Sequence, residues 1–151
     1  MLQAADWITG GVTVATIFIC VLLHFEGLRL ISDHFPKPKW HPRRRTIFLI
    51  FAVLLLHSIE VWIFGVVYWY FLGLDGYGKL MGIDNPGLID CVYFSAAVFS
   101  TVGFGDLYPH GAIRIIAGFE AIAGLTLITW SASYTFVEML KTWEPDVSRK
   151  E

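Results

Sequence analysis

The chain has 151 residues, 56% of them hydrophobic and 16% charged, with a formal net charge of -2 and a mean hydropathy of +0.60. That balance belongs to an integral membrane protein and excludes a charged soluble domain or a disordered chain. The near-neutral net charge selects no partner, and no catalytic triad, phosphate loop or nucleic-acid patch is present to suggest an enzyme.

A helix rises about 1.5 Å per residue, so a bilayer core of about 30 Å needs about 20 apolar residues. The first such stretch is 7–25, with His24 its only ionisable residue. A secretory leader is the competing reading, but Met1 to Asp6 lacks a basic n-region and no small-x-small pattern closes the run, so a retained helix is expected. No arginine recurs along it at three-residue spacing, which argues against a voltage-sensing helix.

The segment 26–46 holds Arg29, Lys37, Lys39, Arg43, Arg44 and Arg45 against Glu26 and Asp33. Basic loops face the cytoplasm, so the N-terminus is expected outside and the C-terminus inside. Beside a membrane span, the Arg43-Arg44-Arg45 run reads as an orientation signal drawn to anionic lipid rather than as a nucleic-acid site.

The second stretch, 46–74, contains His57 and Glu60, which share one helix face at i and i+3. A polar loop comes next, with a Gly76-Tyr77-Gly78 turn, and Asn85-Pro86-Gly87 closes it. Leu88 to Ser100 is apolar but too short to span. It reads as a short helix whose negative dipole end points at residue 101 and beyond.

That helix leads directly into Thr101-Val102-Gly103-Phe104-Gly105-Asp106. Two glycines at this spacing let the backbone alternate between ordinary and left-handed dihedrals, so that successive carbonyls face one axis. A dehydrated potassium ion needs such a cage of oxygens. Thr101 adds a hydroxyl, while Val102 and Phe104 are expected to point away and pack. The third stretch, 115–137, carries Glu120 as its only ionisable residue. Cys20 and Cys91 have neither disulfide nor metal spacing and read as buried apolar residues.

The 101–106 string resembles the selectivity filter of the potassium channel superfamily, and the resemblance runs over 46–139 as outer helix, pore helix, filter and inner helix. It implies an all-α membrane protein of three transmembrane helices plus a re-entrant pore helix and an extended filter, assembled as a tetramer because four filter segments surround one ion. Residues 1–45 would be an extra N-terminal helix with its basic loop, and 140–151 a cytoplasmic tail too short for a folded ligand-binding domain. Potassium would be held by Thr101, Val102, Gly103 and Phe104, with Gly105 completing the filter, and no organic cofactor is implied. Asp106-Leu107-Tyr108-Pro109 is similar to the turn after the filter, placing Tyr108 at the outer mouth. Glu120 to Gly124 resembles the middle of the inner helix, with Gly124 either a hinge or a close-packing position. Leu125, Ile128, Ala132 and Phe136 would then line the cavity.

Departures from the family pattern matter as well. Tyr93-Phe94 replaces a tryptophan pair, Phe104 replaces the filter tyrosine, and Ala97 stands where some relatives carry a buried glutamate. Filter support is therefore expected from Asp106, Tyr93, Phe94 and Ser100, with the Tyr93 phenol reaching Asp106. A carboxylate inside a span is costly and faces protein or water. Glu60 with His57, and Glu120, are read either as a pH-sensitive or ion-attracting site or, in preference, as a polar brace in which Glu120 reaches Ser95 or Ser100. The function implied is passive, potassium-selective conduction. The alternatives are a weakly selective cation channel or a non-conducting accessory subunit.

Overall fold

Three helices of 31 residues each carry the apolar stretches, and at about 46 Å they exceed the thickness of a hydrocarbon core. The computed structural model describes residues 4–34 and 42–143. In chain order these hold α1 (Ala4–His34), α2 (Pro42–Leu72), β1 (Lys79–Met81), α3 (Leu88–Phe99), β2 (Tyr108–His110) and α4 (Ile113–Trp143). The segment 35–41, with Lys37 and Lys39, and the tail from residue 144 lie outside the described residues.

The spanning helices overrun the apolar stretches that define them. α1 continues beyond residue 25 into the segment expected to be a basic loop, where Arg29 lies 3.4 Å from Glu26 and 3.8 Å from Asp33. These exposed pairs at helical spacing add little stability, but their side chains are compatible with continued helix. α2 starts at Pro42, whose missing N–H costs nothing in a first turn. Its first turn thus carries Arg43, Arg44 and Arg45, with Arg43 and Arg44 exposed.

The short helix α3 has 12 residues, about 18 Å, so it reaches only partway through a bilayer. The Gly87 N–H donates to the Asp90 carboxylate at 2.8 Å, satisfying one of the orphan donors of its first turn. It is packed between α2 and α4 at two glycines. A Cβ on Gly65 would lie 2.6 Å from Val92 Cγ2 and 2.9 Å from Val92 Cα, and one on Gly124 would strike the Phe99 carbonyl oxygen. The core between them is built from Phe64, Tyr68 and Phe71 of α2, Cys91, Phe94 and Phe99 of α3, and Ile113, Ile116 and Leu127 of α4. Cys20 of α1 joins this core, and both cysteines are free and buried, in line with their apolar reading.

The all-α expectation needs one addition. β1 and β2 pair antiparallel, with Lys79 opposite His110, Leu80 opposite Pro109 and Met81 opposite Tyr108. Three-residue strands leave no alternating pattern long enough to read in a sequence. The Gly76-Tyr77-Gly78 turn leads into this ribbon. Gly78 has φ of +126° with the His110 carbonyl where a Cβ would sit, and Tyr77 accepts the Ile113 N–H at 3.1 Å. The turn therefore ties the loop to the start of α4.

Gly124→Ala should lower the melting temperature of the detergent-solubilised protein. Overpacking costs about 1–3 kcal/mol, whereas the gain in helix propensity is about 1 kcal/mol. Unchanged melting would show that α3 and α4 separate without cost.

Candidate functional site

α3 ends at Phe99, and the chain leaves it in a segment, Thr101 to Asp106, that is neither helix nor paired strand. Thr101, Gly103 and Gly105 have φ of +60°, +52° and +81°, and Val102 and Phe104 are absent from the positive-φ residues. Handedness thus alternates at every residue from 101 to 105, the pattern that turns successive carbonyls toward one side. Glycine spacing anticipates two of the three left-handed positions. The third, Thr101, is β-branched and unusual at positive φ, a strain of roughly 1–2 kcal/mol that the surroundings must hold. They do so through its own N–H, bonded to Val98 O at 2.9 Å, and through Gly103 N–H, bonded to Ala97 O at 3.0 Å. The negative end of the α3 dipole faces the start of this strand.

The side chains flanking the strand fall into two groups. The Tyr93 hydroxyl donates to Asp106 Oδ2 at 2.8 Å, and this bond holds the phenol above its usual pKa, keeping it a donor. The Phe104 ring lies parallel to that of Tyr93, with centroids 6.3 Å apart and planes within 1°. In a single chain Val102 is exposed, and Phe104 is 69% exposed despite its stack. Phe94 faces away from the filter strand, buried edge-on against Tyr68 of α2 at 5.0 Å. Ser100 bonds back to Ala96 O at 2.6 Å and so caps α3 rather than bracing the strand laterally. Tyr108 is exposed on β2, next to the turn.

Behind α3, Glu120 is fully buried. Its Oε1 accepts from Ser95 Oγ at 2.5 Å and its Oε2 from Tyr68 Oη at 2.5 Å. Ser95 Oγ also lies 2.9 Å from Val61 O. Of the two serines expected near Glu120, the structure brings Ser95 and not Ser100. The carboxylate therefore links α2, α3 and α4. Tyr68 is a partner that sequence reading missed, because it is 52 residues distant and an apolar run with tyrosine gives no sign of which face it uses.

A second buried carboxylate, Glu60, sits near the middle of α2. Its Oε2 is 2.9 Å from His57 Nδ1, the helical neighbour expected from the spacing. Its Oε1 is 2.8 Å from His24 Nδ1 on α1, and Ser131 Oγ on α4 is 3.2 Å from His24 Nε2. His24 was visible in the sequence as the one ionisable group of its span, but nothing there paired it with Glu60.

On α4, Leu125 and Phe136 are exposed in the single chain, as are Thr129 and Ala132. Ile128 is displaced from that stripe: it packs against the core, and Thr129 takes its place. α4 runs unbroken through Gly124, where close packing against Phe99 already requires glycine.

The sequence pattern of a family described as "Ion channel" matches residues 47–141. A relative is "Potassium channel protein kcv" of Paramecium bursaria Chlorella virus 1, 36% identical over 59 residues, which cover 36% of this chain and 61% of the relative. The chain thus spans less than two thirds of that relative's length. No solved structure matches.

Removing one partner from a buried carboxylate costs about 1–3 kcal/mol or more. Tyr68→Phe and Ser95→Ala should each lower the thermal stability of the solubilised protein, and Glu120→Gln, which keeps an acceptor and a similar shape, should lower it less. Melting of Tyr68→Phe at the wild-type temperature would show that the Glu120 network bears no load.

Proposed function

The chain belongs to the ion channel family, and we propose that it is a multi-pass membrane protein whose copies form a potassium-selective channel conducting passively down the ion gradient. The observation that carries this reading is the alternation of φ at Thr101, Val102, Gly103, Phe104 and Gly105, in a strand that starts at the negative end of a helix too short to cross a bilayer. Their carbonyls, with the Thr101 hydroxyl, would replace the hydration shell of potassium, the substrate of the pore.

Four copies are the natural assembly. Non-helical backbone at membrane depth is tolerated only where protein or a water-filled cavity surrounds it, and one chain leaves the whole stretch from Thr101 to Asp106 exposed. Neighbouring chains would cover Val102 and Phe104 and close the ring of carbonyls. In that ring Leu125, Thr129, Ala132 and Phe136 would face the cavity, Tyr108 the outer mouth, and Gly124 would serve close packing with a hinge at the same point. The basic end of α2, with Arg43, Arg44 and Arg45, would lie at the cytoplasmic face among anionic lipids, leaving the N-terminus outside.

Potassium-driven flux from purified protein in liposomes tests the reading, together with a native mass of four chains. Gly103→Ala should abolish rubidium-over-sodium selectivity, since alanine resists a left-handed dihedral by roughly 1–2 kcal/mol per site and four sites change together. Retained selectivity in that variant would remove the dihedral argument.

The Tyr93–Asp106 hydrogen bond, phenol to carboxylate, is the lateral tie proposed for the outer half of the filter. Tyr93→Phe should make current decay faster at low external potassium, and Asp106→Asn should do so less, because the amide oxygen still accepts the phenol proton. Currents of Tyr93→Phe as persistent as wild type across external potassium concentrations would refute the tie.

A further inference from the structure

We propose that His24, His57 and Glu60 form a binding site for a divalent transition-metal ion of the zinc class, set between α1 and α2 within the membrane. Their ligand atoms lie within 4.8 Å of one another. Two imidazoles and one carboxylate with a fourth position left over are a donor set zinc uses, and imidazole suits the neighbouring first-row ions as well.

The geometry is close to what coordination requires. Ligands at about 2.0–2.1 Å from a tetrahedral ion stand about 3.3 Å from each other. Each imidazole Nδ1 here is 2.8 or 2.9 Å from a different oxygen of the same carboxylate. Opening these two contacts by a few tenths of an ångström, and drawing in the widest ligand separation, which is within 4.8 Å, would seat the ion. The two histidines come from different helices and present the same nitrogen to Glu60.

A second observation concerns the far side of His24. A metal-bound imidazole nearly always donates its other N–H to an outer partner that fixes its tautomer. Ser131 Oγ lies 3.2 Å from His24 Nε2 and is itself buried. With an ion in place of the Nδ1 proton that now faces Glu60, the ring N–H moves to Nε2 and donates to Ser131 Oγ, the form that binds a metal. The rings are held by Trp130 against His24 at 5.3 Å and by Phe99 against His57 at 5.8 Å. His24 and Glu60 are fully buried, while the His57 side chain is 15% exposed and marks the way in. A dication here would also relieve an otherwise costly carboxylate in a span.

The ion would join α1 to α2 and, through Ser131 and Trp130, to α4. This gives the first helix a role beside the conducting module, and it stands whether or not the pore selects potassium.

The test uses the purified, assembled protein, stripped with a chelator and titrated with cobalt(II), then zinc(II). One cobalt per chain is expected, with visible absorption typical of four- or five-coordination, abolished by one equivalent of zinc. His24→Ala and Glu60→Gln should each remove the band, Ser131→Ala should weaken affinity about 10–100-fold, and His110→Ala, on the exposed ribbon, should leave it unchanged. Zinc should raise the melting temperature of wild type and not of Glu60→Gln. Absence of a stoichiometric cobalt band in wild type overturns the proposal, whatever the variants do. A band that persists in both His24→Ala and Glu60→Gln overturns it too, by placing the metal elsewhere.

Discussion

The non-helical backbone of 101–106, outside any regular ladder, is the constraint on which the rest of this molecule depends. Each unsatisfied peptide group in hydrocarbon costs several kcal/mol, and the strand 101–105 adds a β-branched residue at positive φ. α3 meets this demand from one side, by lending the Ala97 and Val98 carbonyls to the strand's N–H groups. The carbonyls of Thr101 to Gly105 are the groups proposed to meet the ion. Holding α3 in place then becomes the task of the longer helices, and the glycines at 65 and 124 let both come within backbone contact of it.

α2 is the element through which both buried carboxylates act. At one level it sends Tyr68 to Glu120, and at another its own Glu60 receives His24. Burying such groups without partners would cost more than apolar packing at the same positions returns. Their retention therefore points to fixed geometry rather than to added stability. The Glu120 network accomplishes this for α3, since Ser95 lies on the face of α3 opposite to the filter tie made by Tyr93.

Much of this was legible in the sequence, for physical reasons that can be named. Long apolar runs marked α1, α2 and α4, because a bilayer admits little else. The Gly103 and Gly105 spacing marked two of the left-handed positions in the segment proposed as the filter, because glycine adopts positive φ without steric cost. His57 with Glu60 was legible because i and i+3 share a face. Contacts set by the relative rotation of helices were not. Tyr68, His24 and Ser131 have no local pattern tying them to a carboxylate many residues distant. The same blindness placed Phe94 beside the filter, when its neighbour Tyr93 takes that side and helical geometry turns Phe94 toward α2. It also placed Ile128 in the cavity stripe, although Thr129 fits the exposed face of α4 and Ile128 the core. The β1–β2 ribbon escaped because three residues are too few for an alternation.

The position of α1 limits what the first helix can do. It meets α4 through His24 with Ser131 and Trp130, whereas Leu125, Thr129, Ala132 and Phe136 are exposed on another part of that helix. α1 therefore has no access to the stripe proposed to face the ion, and it carries no arginine ladder with which to move in a field. Any influence it has on conduction must pass through the placement of α2 and α4. Two packed helices shift as units rather than deform, and the polar junction at His24, His57 and Glu60, with Ser131, is where α1 is fixed to the other two.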